Sequence, residues 1–70
     1  MDIGEKIKAA RIARGWSRED LAKKIRASVK YVKQVETGKR DIVWAGKVYI
    51  FEKALGEEFS TDVDVMDGGL

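Results

Sequence analysis

The sequence predicts an all-α fold, a compact domain of four to five short helices, and three observations carry that expectation. Apolar residues recur at helical spacing, as in Ile3, Ile7 and Ala10 and again in Leu21, Ala22 and Ile25. Side chains that cap helix starts, Asp2, Ser17 and Ser28, stand ahead of such runs, and glycines suited to helix ends, Gly15, Gly38 and Gly56, stand behind them. Cys and His are both absent from the 70 residues, so stability has to come from helix packing alone, with a homodimer as a plausible supplement.

Taken in order, the first helix is expected from Ile3 to Arg14, with Asp2 as cap, Glu5 in the reciprocal position and Gly15 as the stop. Trp16 follows, and its large apolar surface between two helices reads as a core plug rather than a ligand platform. Ser17, with Asp20 three residues on, opens a second helix over about 17–25. After Arg26 and Ala27, Ser28 opens a third over about 28–37, which Gly38 can end in a left-handed conformation. The turn is short enough to force tight, angled packing of the two, the layout of a helix-turn-helix.

A fourth helix is expected from Ile42 to Leu55, closed by Gly56. It is apolar around more of its circumference than one buried stripe needs, so it is either the floor of the core or a helix whose outer side, around Tyr49, meets a partner. Gly46 inside it would cost about 1 kcal/mol relative to Ala at an exposed mid-helix position, and a helix starting after Gly46 is the alternative. Residues 1–56 thus form the folded domain. Residues 57–70 are an acidic, flexible tail in which Thr61, Val63 and Val65 alternate as in a short strand.

The formal charge of +2 hides a polarised chain. Residues 1–56 hold all 14 bases against 7 acids, while residues 57–70 hold 5 acids and no base. Arg18 to Arg40 alone carries 8 bases and 3 acids, the electrostatic footprint of a phosphate-binding surface. An enzyme is the least favoured class: without His or Cys, catalysis would need paired carboxylates or a desolvated Lys, and the one acidic cluster lies in the tail. Asp62, Asp64 and Asp67 lack the spacing and the terminal bidentate acid of a calcium loop, and no cofactor or metal is called for. The amino terminus is charged and amphipathic rather than a secretory leader, and no segment approaches membrane-spanning length; the expected location is the cytoplasm.

Three stretches, IGEKIKAARIARGWSREDLAKKI, ASVKYVKQVETGKR and EKALG, together resemble the Cro and phage-repressor (XRE-like) family of helix-turn-helix domains. The resemblance covers most of residues 3–56, with Leu21-Ala22 and the run Val35 to Arg40 as its most diagnostic pieces. It implies a lambda-repressor-like globule whose third helix enters the DNA major groove. Ser28, Val29, Lys30, Lys33 and Gln34 match DNA-facing positions, with Val29, Lys30 and Gln34 nearest the base edges. Arg18 matches a position that reaches a phosphate or supports the reading helix, and Arg11 and Glu36 match a charged pair that ties helix one to helix three. Three departures stand out: Arg26 replaces the usual turn Gly, the Pro after the Gly-Lys-Arg run is missing, and the fifth helix that often builds the dimer is not recognisable.

The side-chain chemistry suits those roles. Lys30 and Lys33 can approach guanine acceptors or phosphates, the Gln34 amide can make paired bonds to adenine, and Val29 can touch a thymine methyl. The first turn of helix two offers backbone N–H groups to a phosphate. Lys39 and Arg40, just past helix three, are placed to hold the next phosphate, setting affinity and register rather than sequence choice. The rival reading is a transcriptional adaptor that binds protein rather than DNA, since the helix-turn-helix domain of multiprotein bridging factors looks similar; an antitoxin-type repressor is a variant of it. Either would use helix four or the tail residues Val63, Val65 and Leu70. A weaker idea is that acidic residues 57–67 compete with DNA for Lys30, Lys33 and Arg40.

Overall fold

Residues 2–59 are described by the computed structural model, and they build four helices: α1 (Ile3–Ala13), α2 (Arg18–Ile25), α3 (Val29–Glu36) and α4 (Val48–Leu55). The fold is all-α, as the sequence predicts. The strand read from Thr61, Val63 and Val65, most of the acidic tail and the Asp62–Asp67 loop lie outside the described residues.

Each of the first three helices starts at its expected cap. Asp2 Oδ1 accepts from the Glu5 N–H at 2.9 Å. Ser17 and Asp20 exchange bonds reciprocally: the Asp20 N–H donates to Ser17 Oγ at 3.1 Å and the Ser17 N–H to Asp20 Oδ2 at 2.8 Å. Ser28 Oγ accepts from the Tyr31 N–H at 3.1 Å. Between α2 and α3, Arg26 adopts a left-handed conformation (φ 57°, ψ 46°), at the position where the resemblance implies Gly, and the Ala27 N–H closes on the Ala22 carbonyl at 2.9 Å. The turn is therefore kept, with the strain borne by a non-glycine residue.

The fourth helix is shorter than expected. Residues 42–47 form turns, with the Gly46 N–H on the Val43 carbonyl at 3.1 Å and the Lys47 N–H on the Ile42 carbonyl at 2.8 Å, and α4 starts only at Val48. Gly46 sits at φ 70°, which no helix interior accommodates, and Asp41 Oδ1 accepts from the Trp44 N–H at 3.0 Å, closing a turn of its own. The apolar run from Ile42 is thereby split. Ile42 folds back into the core, whereas Trp44 is left 90% exposed.

The core is fed by every helix: Ile7 from α1, Leu21 from α2, Val32 and Val35 from α3, Phe51 and Leu55 from α4. It continues past Gly56, because Phe59 is buried and its N–H donates to Glu52 Oε2 at 2.8 Å, so the composition change at Glu57 does not mark where packing stops. Trp16 is half-buried rather than fully enclosed, packed on the core with Lys24 Nζ 4.6 Å from its ring centroid. Gly4 is buried where α1 crosses α3, and a Cβ there would overlap the Val35 carbonyl oxygen.

Candidate nucleic-acid interface

Helix α3 has two faces with different fates. Val32, Val35 and Glu36 turn inward, while Val29, Lys30 and Lys33 are exposed and Gln34 is half-buried at the border. The inward face is fixed by charge as well as by packing. Glu36 is buried, and its carboxylate accepts from Arg11 Nε at 2.7 Å, from Arg11 Nη2 at 3.1 Å and from Arg18 Nε at 3.1 Å. Arg11 Nη1 donates in addition to the Trp16 carbonyl at 2.8 Å. One carboxylate thus ties α3 to α1 and α2 together, and the paired, hydrogen-bonded geometry is what makes its burial tolerable. The pairing of Arg11 with Glu36 is the one the resemblance implies. Arg18 joins it as a second cation.

The outward face is shaped by the end of the helix. Gly38 reverses the chain at φ 81°, and the Lys39 and Arg40 N–H groups then both donate to the Gln34 carbonyl, at 2.8 and 3.2 Å. Residues 39 and 40 are thereby laid back beside Gln34 instead of running on. Lys30, Lys33, Gln34, Thr37 and Lys39 line one shallow groove of about 290 Å³. Gln34, Lys39 and Arg40 share a second, of about 430 Å³, with Tyr31 and Lys47. Arg40 Nε donates to Gln34 Oε1 at 3.2 Å, and its guanidinium carbon lies 5.3 Å from the centroid of the Tyr31 ring.

Of the residues singled out from the sequence, Lys30, Lys33, Gln34 and Lys39 line one groove along the outer side of α3, and Arg40 joins Gln34 and Lys39 in the second. Ser28 and Val29 are exposed at its start, where the Ser28 hydroxyl also serves as cap. Arg18 is held instead at Glu36, part-exposed. Lys47 and Tyr31 were not singled out from the sequence. Lys47 reads there as an interior residue of a longer fourth helix, and Tyr31 gives no signal apart from its ring. Asp20, at the start of α2, is fully exposed, and its carboxyl is held below the ordinary value chiefly by the Ser17 backbone N–H and then by the Ser17 hydroxyl.

A family model described as helix-turn-helix matches residues 7–60, and the chain belongs to that family, of Cro and phage-repressor type. Its general function is that of a DNA-binding, transcription-regulating domain. No curated protein and no solved structure matches the chain. Among the described residues no helix is long and apolar enough to cross a membrane.

Proposed function

We propose that the chain reads a specific double-stranded DNA sequence as a repressor-like regulator, with α3 lying in the major groove. Lys30, Gln34 and Val29 meet base edges, while Lys33, Lys39, Arg40 and the Ser28 turn hold phosphates. Arg18 supports the reading helix through Glu36 rather than reaching DNA first. The observation that carries this reading is the asymmetry of α3: its inner face is locked by a buried carboxylate between two arginines, and its outer face gathers three lysines around one glutamine. A helix that must be presented in one orientation is anchored in this way. The cytoplasm is the location that accompanies this reading, and a homodimer would set two reading helices about 34 Å apart on a palindromic site.

Selection from a random duplex library tests the reading. An enriched sequence is expected, with binding that weakens with salt in proportion to the phosphates contacted. Weak binding without enrichment would instead favour the protein-binding adaptor. That second reading has one observation behind it: Trp44, Val43 and Tyr49, on the α3–α4 connection and the first turn of α4, are each exposed.

A further inference from the structure

We infer that Arg40 determines which base Gln34 reads, by holding the amide in one orientation; the inference rests on the major-groove role proposed for α3. A guanidinium has donors and no acceptor, so the amide atom that meets Arg40 Nε at 3.2 Å has to be the oxygen. Arg40 is itself positioned from two sides. Its backbone N–H is bonded to the Gln34 carbonyl, which fixes residue 40 one helical turn back along α3. Its guanidinium lies over the ring of Tyr31, and that ring is stacked on the buried Phe51 with centroids 6.2 Å apart. A continuous series of contacts, Phe51 to Tyr31 to Arg40 to Gln34, therefore runs from the core to the reading side chain.

The consequence is chemical. A glutamine amide that turns freely reads adenine with both ends, giving an N–H to N7 and accepting from N6. When the oxygen is turned toward an arginine on the protein, the NH₂ group is what remains for the base pair. Two N–H donors suit an edge that offers two adjacent acceptors, and in the major groove that is guanine, with N7 and O6 side by side, whereas thymine has O4 alone beside its methyl. Arg40 is thus a positioning residue for sequence choice as well as a phosphate contact, and the adenine pairing expected of Gln34 from its side chain alone gives way to guanine.

The test uses the full chain and site selection from a random duplex library, followed by affinities for pairs of duplexes that differ only in guanine or adenine at one position. Gln34→Ala locates that position as the one where base preference is lost. Wild type is expected to favour guanine over adenine there by about tenfold, the scale of one good amide contact. In Arg40→Ala, which alters an exposed side chain, affinity for both duplexes falls and the guanine preference disappears or inverts toward adenine. A phosphate contact alone would lower both affinities by the same factor, so an unchanged ratio in Arg40→Ala overturns the inference while leaving the DNA-reading proposal standing. An adenine preference in wild type overturns it likewise. Failure of every duplex to be enriched overturns the proposal and the inference together.

Discussion

Between α2 and α3 the chain needs only residues 26–28 to turn, whereas between α3 and α4 it takes residues 37–47. The first connection is closed by local devices: a left-handed Arg26, the Ala27-to-Ala22 bond and the Ser28 cap. The second is closed by a long-range one, the burial of Ile42 under the helices, with a polar turn before it and a largely apolar one after it. The difference matters for function, because the short connection fixes the angle at which α3 is presented, and the long one brings Arg40 and Lys47 round to its side. The angle of presentation and the basic flank are thus set at opposite ends of one helix.

Both connections depend on α3 staying where it is, so the most damaging change is at its anchor. Glu36→Ala leaves the buried Arg11 guanidinium without its carboxylate, with only the Trp16 carbonyl to accept from it, and releases Arg18, and a loss of about 3–5 kcal/mol is expected, as for removal of one member of a buried ion pair. Urea denaturation measures it. A loss below about 1 kcal/mol would mean that packing of Val32 and Val35, rather than charge, holds the helix. Next comes Ile42→Ala, which removes the tether of the long connection. A cavity in place of this fully buried side chain should cost about 2–5 kcal/mol, and amide exchange in residues 39–47 should accelerate more than in residues 26–28. Equal acceleration in both would show that the connections open as one unit.

What the sequence discloses follows the same division. The short connection is legible because its signals are near one another in the chain: Ser17 with Asp20, Ser28, and a pair of residues too few to do anything but turn. The long one is not, because Ile42, Val43 and Trp44 share helical periodicity with Val48, Phe51 and Leu55, and the period alone cannot tell one helix from a turn followed by a shorter helix. Gly46 is the available signal, and it does mark the start of α4. The Gln34–Arg40 bond lies further from view, since it depends on the chain reversing at Gly38 before Arg40 can reach back. Phe59 and Gly4 are equally silent in the sequence: one follows a stop signal, and the other is a helix-weakening residue retained because the α3 backbone lies against it.

A smaller effect of opposite sign is expected at Arg26. A left-handed backbone costs a residue with a Cβ roughly 1–2 kcal/mol, and Gly avoids this while losing more entropy on folding. Arg26→Gly should therefore stabilise the domain by about 0.5 kcal/mol, with a matching small rise in Tm. It also removes one surface cation, so the comparison belongs at moderate salt. Destabilisation would show that the Arg26 side chain contributes contacts that outweigh the strain of its backbone.

The gentlest perturbation of the short connection is acid. The Asp20 carboxyl is held below its ordinary value of 3.8, first by the Ser17 N–H and second by the Ser17 hydroxyl. A folded-state pKa below the unfolded one means that the charged form is favoured by folding. Its contribution is complete above 3.8 and is lost as the pH falls through the lower, folded value. Asp20→Asn keeps the shape but cannot titrate, so it should be less stable than wild type at neutral pH, and the gap should close on going to about pH 2. All other groups are common to the two proteins and cancel in the difference. Denaturation at a series of pH values gives the comparison directly, and a gap that does not narrow in acid would assign the cap's effect to hydrogen-bond geometry rather than to charge.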